Sequence, residues 1–456
     1  MMVSMRLFPF ALVLLAAGCT VGPDYRAPDP VMPQAWAAGA APDGETGAVW
    51  WRGFDDPLLE ALIERALQDN TDIGIALARL DEAEALLGVQ RAGLAPTLDA
   101  SASGDVSTVL SGDGEDGSGA SAGLAFGFVP DLFGGQRRRI EQAEATRDAR
   151  ALDVADVQRL TAASIAERYI DLRRSRARLD LLTTSLDLQQ QTLDIVRSRA
   201  EAGLSADLDV QRAASDLART RAQRGNLDIA EARAAHSLAI LTGQAPAGPA
   251  IIPAGSADIP VFAGGPPAGV PADLVRNRPD LRAAERELAA ASAAIGVAMA
   301  DLYPALDIPG RLTADLGSAD RIVGDVVAQI GAALSLPLLD GGRRDAGIRA
   351  AEARARQAAL AYERTLLDAL GEVETALVSL DAIDARTEEL ARAVAASQRA
   401  FDQLDALYRE GLASFIDILD AQRSLISSRE AQVDSEADHA LAVVDLYRAL
   451  GAPVAG

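Results

Sequence analysis

Two carboxylates three positions apart, Asp417 and Asp420, with Arg423 three further on, form the clearest charged constellation in this 456-residue chain. On a helix, residues three apart lie on the same face, so the two acids and the guanidinium share one stripe. Spacing alone leaves two readings open. The stripe is either an exposed charge pair worth roughly 0.2–0.5 kcal/mol, or, repeated around a symmetric ring, an acidic constriction that favours cations. In the second reading Arg423 pairs with a carboxylate and holds the constriction shut. Asp207 and Asp209 sit at a comparable earlier turn but align less clearly with such a ring. Enzymatic groupings are missing. The only histidines, His236 and His439, fall on helical segments, and there is no cysteine cluster, phosphate loop or supported Ser-His spacing. Asp113 to Gly117 has the composition of a Ca²⁺ loop without its ligand spacing, and reads as a solvated hairpin tip. The methionines, at positions 1, 2, 5, 32 and 299, form no ladder for copper. The chain is expected to be no enzyme and to hold no metal.

The single cysteine is a different matter. Arg6 gives a positive start, Leu7 to Ala17 an apolar run too short to cross a bilayer, and then comes Leu15-Ala16-Ala17-Gly18-Cys19. That pentapeptide resembles a bacterial lipobox, with cleavage before Cys19 and acylation of its thiol. Residues 1–18 then form a signal peptide. No cofactor is expected beyond the diacylglycerol and N-acyl chain on Cys19. Thr20 in place of Asp favours export to the outer membrane. With one cysteine, disulfides play no part in the fold. The formal charge of −23 lacks any basic cluster to follow a phosphate backbone, which argues against nucleic acid; it reads equally as a solvated surface or as a conduit that repels anions.

The elements that position these groups are long. Arg137 to Glu201 contains no glycine or proline, and a helix of about 65 residues spans on the order of 100 Å. Ile165, Leu172, Leu179, Leu186, Leu193 and Ala200 recur every seven residues, as do Val373, Leu380, Thr387, Val394, Phe401 and Tyr408, each 208 positions later. A seven-residue stripe implies left-handed supercoiling against a partner helix. Ile73, Leu80, Leu87 and Leu94 match Leu281, Leu288, Ile295 and Leu302 at the same offset, and Pro96 matches Pro304, so the chain reads as two internal repeats offset by about 208 residues. After each proline the period changes to two. Leu98, Ala100, Ala102 and Val106 alternate with Asp99, Ser101, Ser103, Asp105 and Ser107, then Leu124, Phe126 and Phe128 follow. In the second copy Leu306, Ile308, Leu312, Ala314 and Leu316 alternate with Asp307, Arg311, Thr313 and Asp315, and Val326 to Leu336 continue. Runs of this length with one apolar and one polar face suit transmembrane strands; a soluble hairpin half-buried on a core gives the same pattern. No other segment is apolar enough to span as a helix, which tips the reading to membrane strands. Pro309 implies a bulge or kink within its strand.

The expected organisation is therefore a lipidated extended segment and short helix over 19–69, a first repeat over 70–242, a Gly/Pro-rich linker over 243–277 and a second repeat over 278–451. The first repeat holds a hairpin at about 97–130, a long helix at about 136–201 and a return helix at about 206–242; the second holds these at about 305–337, 343–410 and 414–450. Glycine-containing turns end each long helix. Four strands cannot close a barrel and open edges are forbidden in lipid, so chains must pool strands. Three chains give twelve; arithmetic leaves two or four open.

Cys19-Thr20-Val21-Gly22-Pro23-Asp24-Tyr25, Trp50-Trp51 with Phe54-Asp55-Asp56-Pro57, and Asn70-Thr71-Asp72-Ile73 resemble the TolC/OprM-like outer-membrane factors of tripartite efflux systems, the NodT family of lipoproteins. So do Pro130-Asp131-Leu132-Phe133-Gly134-Gly135, Arg278-Pro279-Asp280-Leu281 and Leu419 to Leu425. The resemblance spans nearly the whole chain. It implies a mainly α trimer with a twelve-stranded outer-membrane β-barrel, a periplasmic α-helical barrel and an equatorial domain, conducting small molecules passively. It further implies a periplasmic adaptor and an inner-membrane pump of the resistance-nodulation-division class as partners. Asp417 and Asp420 match acidic gate positions, Arg423 a basic gate partner and Ile416 a hydrophobic constriction. Arg199, Gly203, Leu204, Gly411 and Leu412 occupy the turns that meet the adaptor. A type I secretion channel and a lipid-anchored periplasmic coiled-coil scaffold are the competing readings.

Overall fold

The computed structural model describes residues 20–37, 49–111, 113, 117–246, 258–263, 271, 273, 277–317 and 325–454. Cys19 and the signal segment lie outside them, as do most of the 243–277 linker and residues 114–116 of the acidic loop. By internal packing the chain divides into two units: residues up to 30, 78–152 and 282–364, and residues 31–77, 153–281 and 365–456. Helix α1 spans Pro57–Asp69, α2 Thr71–Ala92, α3 Gly135–Glu201, α4 Asp207–Leu241, α5 Pro279–Ala300, α6 Arg343–Arg409 and α7 Phe415–Leu450. Strands are β1 (Thr97–Ser107), β2 (Gly117–Phe128), β3 (Ala305–Gly317), β4 (Val326–Ile330) and β5 (Ala333–Ser335). Both long helices, α3 and α6, have 67 residues.

The first unit carries an antiparallel sheet in the order β1-β2-β3-β4, with β5 also on β3. Directly paired residues in an antiparallel sheet point to the same side. Here Leu98 pairs with Phe126, Ala100 with Leu124, Leu124 with Leu312, and Leu312 with Ala328. Even-numbered apolar residues therefore gather on one side, while Asp99, Ser101, Ser103, Arg311 and Thr313 share the other. Leu98, Leu124, Leu312 and Ile330 are nevertheless exposed. Among the described residues none of the strand positions is buried.

The irregularity expected at Pro309 falls elsewhere. β3 runs unbroken through Pro309, and the interruption lies opposite, between β4 and β5. Gly310 pairs with Ile330 and Asp307 with Ala333, so the register is the same on both sides of the gap. Gly331 donates its N–H to the Pro309 carbonyl at 2.9 Å, but proline has no N–H to return the bond. The fourth strand is one strand that lacks a donor across the gap. A true register shift occurs further along, where β3 meets Ala120 and Ser121.

An N-terminal strap closes this unit. The Val21 N–H donates to the Phe133 carbonyl at 3.1 Å. Arg138, 4% exposed, donates to the carbonyls of Val21 and Gly22 and to the Asp24 carboxylate. Gly22 lies so close to Gly296 that a Cβ would come 2.4 Å from its Cα.

In the second unit the heptad stripe is the core seam. Ile165, Leu172, Leu193, Val373, Leu380, Phe401 and Tyr408 are all buried. Trp50 stacks on Tyr447 at 5.6 Å and Phe54 meets Phe262 edge-on at 5.1 Å, which accounts for the tryptophan-rich motif. Asp56 caps α1 through Leu58 and Leu59 N–H and also accepts from the Tyr169 hydroxyl at 2.6 Å.

Two ties join the start of each helical run to its end. Asn70 accepts from the Asp72 and Ile73 amides and donates Nδ2–H to the Leu241 carbonyl at 2.8 Å. Arg278 donates to the Ala449 carbonyl at 2.9 Å and to Asp280 and Glu372, each at 2.6 Å. These ties fix where α4 and α7 stop. Gly451 ends α7 at φ +72°, where a Cβ would come 2.9 Å from Arg278 Cα. Gly203, at φ +74°, has open space around it. Replacing Gly451 with Ala should cost about 3 kcal/mol from strain and clash together. The same change at Gly203 should cost about 1 kcal/mol from the left-handed backbone alone. Thermal unfolding followed by circular dichroism would compare them; equal losses would contradict the packing role of Gly451.

Candidate functional site

The tip of the second unit is built by the ends of α3 and α6 and the starts of α4 and α7. Both long helices end in the same reverse turn. Leu204 N–H bonds to Arg199 O and Gly203 N–H to Ala200 O; Leu412 N–H bonds to Leu407 O and Gly411 N–H to Tyr408 O. Such a turn ordinarily folds its last residue's apolar side chain back onto the helix. Leu204 and Leu412 instead are 69% and 75% exposed. Beneath them Leu193, Val196, Leu217, Phe401, Tyr408, Phe415, Ile418 and Leu419 form a closed apolar cluster.

Arg199 has a role that spacing did not reveal. Its guanidinium sits 4.9 Å from the Tyr408 ring centroid and donates to the Tyr408 carbonyl at 2.9 Å. It ties the end of α3 to the end of α6, and is half-buried. Of the five turn residues singled out from sequence, the structure brings Arg199 and Gly411 together: a Cβ added at Gly411 would stand 3.4 Å from the guanidinium.

On α7 the four gate candidates share one face. Ile416, Asp417, Asp420 and Arg423 are exposed, while Phe415, Ile418, Leu419, Gln422 and Leu425 turn inward. The three charges differ in their surroundings. Asp417 is engaged locally. It accepts from the Ser414 hydroxyl at 2.6 Å and the Ser414 N–H at 3.1 Å, and Ser414 Oγ accepts the Asp417 N–H at 3.4 Å. This reciprocal cap starts the helix, and the Ser414 hydroxyl and amide together hold the Asp417 carboxyl below the ordinary carboxylate range. Asp420 is 67% exposed at the side chain and only 4.0 Å from Arg423.

Arg423 takes its principal partner from α4. Its Nε and a terminal nitrogen donate to Asp216 Oδ1 at 3.0 and 2.7 Å. The hydrogen bond to Asp216 comes first in holding the guanidinium protonated, above its ordinary value. Asp216 is 8% exposed and also accepts from Gln189 at 3.4 Å, while neighbouring Gln422 donates to Thr192 at 3.3 Å. The sequence singled out Asp207 and Asp209 near the start of this helix but not Asp216, whose partner lies 207 positions away. Asp209 is taken up by Ser205 at 3.0 Å.

The lowered Asp417 value fixes a sign. A carboxyl whose folded value is depressed adds stability above its unfolded value, about 3.9, and that contribution is lost as pH falls through the folded value. Ser414→Ala should therefore move the Asp417 titration upward toward the ordinary range, read from its carboxyl ¹³C shift. A midpoint unmoved by the substitution would assign the depression to another cause.

Against known proteins the pattern is specific. The family model for the outer membrane efflux protein matches residues 62–244 and again 270–452. Nodulation protein T of Rhizobium leguminosarum bv. trifolii is 33% identical over 427 residues, covering 90% of each chain. The solvent efflux pump outer membrane protein SrpC of Pseudomonas putida is 30% identical over 97% of each. The solved outer-membrane channel OprN superposes with a TM-score of 0.87 at 34% identity, covering 95% of this chain and 99% of that one. SrpC is by name an efflux pump outer membrane protein and OprN an outer-membrane channel, and neither is an enzyme. With a mainly helical fold that superposes on a solved channel of 34% identity, and a family match over both halves, the chain belongs to the outer membrane efflux protein family.

Proposed function

We propose that this chain is the exit duct of a tripartite efflux pump, a homotrimer that conducts small molecules passively from an adaptor and an inner-membrane pump across the outer membrane. The observation that carries this reading is the sheet: one side apolar and exposed, two edges unpaired among the described residues, and each strand pair leading into a 67-residue helix. In lipid an unpaired strand edge leaves backbone donors and acceptors unsatisfied, at several kcal/mol per group. Closure with copies of the same sheet removes both edges. Four strand positions per chain, counting β4 and β5 as one, give twelve in a trimer. The second family match begins and ends 208 positions after the first, in keeping with a duplicated half.

Lipidation of Cys19 belongs to the same reading. Thr20 packs against Gly134 at the crossing from β2 to α3, within 2.5 Å of where a Cβ would stand. The strap bound by Arg138 holds the described chain from Val21 to Asp24. The relevant membrane is the outer one, with the helices reaching into the periplasm. Leu204 and Leu412 present apolar side chains at the tips, where small turns let an adaptor's helices approach closely, with Gly203 and Gly411 between them. Substrate choice is left to the pump.

The gate reading places Ile416 as an apolar ring, Asp420 as the exposed acidic ring and Asp417 as a capped acid beside it. Arg423 draws α7 onto α4 through Asp216, so that pair is the latch within each chain. Conductance in planar bilayers tests it. Arg423→Ala and Asp216→Asn should each raise single-channel conductance severalfold with trimers intact, and Asp420→Ala less, because only the first two break the latch. Equal conductance in wild type and both latch variants would place the constriction elsewhere. Mass spectrometry of the N-terminal peptide should find the acyl chains on Cys19 and none in Cys19→Ser; an unmodified N-terminus in the wild type would remove the anchor from this account.

A further inference from the structure

Within the first unit a cavity of about 600 Å³ opens among the crossings from β2 to α3, from α5 to β3 and from β5 to α6. Ala305 and Ser335 wall its strand side and pair with each other on the polar face. Two features of this cavity are left unexplained by folding. The first is an aromatic wall. Phe133 and Tyr303 stack at 4.8 Å with 25° between their planes, and Tyr303 is 40% exposed. The second is a group of three guanidiniums, Arg139, Arg343 and Arg344, that the nearby Asp301 and Asp340 match only in part. Arg343 opens α6 exposed, with no ion pair among the described residues. Beside it Arg344 donates to Asp340 at 2.9 Å, yet its Nε is buried and has no acceptor. Arg139 pairs with Asp301 at 3.8 Å and donates to Gln136 Oε1 at 3.2 Å.

An interfacial aromatic belt would account for rings at this level but not for a buried guanidinium nitrogen lacking an acceptor. A flat ring beside unspent guanidinium donors matches one ligand chemistry. A planar ring packs on the exposed aromatic surface, and a carboxylate accepts charge-assisted bonds from the fork of an arginine. We infer that this cavity binds aromatic carboxylates, the ring against Phe133 and Tyr303 and the carboxylate on Arg343 and Arg344. Its place in an exit path rests on reading the polar face as the duct lining; the binding itself does not. A solute moving along that face would pause there, and a chain of net charge −23 would gain a local foothold for anions.

Isothermal titration of the full-length trimer in lipid nanodiscs tests this with salicylate as the probe and benzyl alcohol as its neutral counterpart. Salicylate should bind at one site per chain, and benzyl alcohol should not. Arg343→Ala should weaken salicylate about tenfold, the loss expected of one charge-assisted contact, while Arg343→Lys keeps part of the affinity. Tyr303→Leu should weaken it about threefold through the lost ring contact. Salicylate binding untouched by Arg343→Ala, or matched by benzyl alcohol, overturns the site. Because binding is read without conduction, a protein that binds salicylate but never conducts refutes the duct and leaves the site. One that conducts but shows no Arg343-dependent binding refutes the site and leaves the duct.

Discussion

The pairing register of the sheet is the constraint on which the rest depends. From Leu98 against Phe126 to Leu312 against Ala328, even positions meet even positions, so the apolar residues of four strand positions share one side. A slip of one residue on any strand would scatter them across both sides. That register also decides where the helices start, because α3 and α6 begin directly beyond the strands. Asp131 accepts the amides of Gln136 and Arg137, and Asp340 those of Gly342 and Arg344, so an acid fixes each departure. The acid stands at different places in the two turns, yet the outcome is the same: carboxylates sit at helix starts, where free N–H groups and the dipole favour them.

Periodic features were legible in the sequence and pairwise ones were not. The absence of glycine and proline between Arg137 and Glu201, with a leucine stripe every seventh residue, marked a helix that the structure gives as Gly135–Glu201. Alternation marked the strands, and glycines at positive φ marked the turns at Gly203 and Gly411. What escaped depends on partners distant in the chain. The gap between β4 and β5 arises from a missing donor on Pro309, so the effect shows on the neighbour rather than on the proline. Asp216 became a partner of Arg423 only once α4 and α7 lay side by side. Arg199, named from sequence for the turn it occupies, also braces Tyr408 through its ring and carbonyl. The Ser414 cap is the exception, since Ser-x-x-Asp was already a readable signature.

The candidate gate divides its charges by environment more sharply than spacing implied. Asp417 is held by its own helix start and Arg423 by a nearly buried acid on another helix. Asp420 is left facing solvent. Three residues on one stripe thus stand in three settings: one caps the start of the helix, one ties α7 to α4, and one stays open to solvent. Asp216 and Gln189 lie at the inner side of this arrangement, beside an apolar cluster. The Arg423 side chain keeps one side in solvent, which screens the pair, so the cost of leaving it half-made falls mainly on the nearly buried Asp216.

The ties made by Asn70 and Arg278 carry a consequence for how such a chain tolerates change over time. The two residues stand 208 positions apart, as do their acceptors, Leu241 and Ala449, and one is an amide while the other is a guanidinium. Each helical run is thereby fastened to itself rather than to its twin. A lesion in one copy leaves the other's closure intact, so the two halves are free to drift into unequal occupations. One end has already done so: Arg278 has recruited Glu372 and Asp280, while Asn70 has kept only backbone partners.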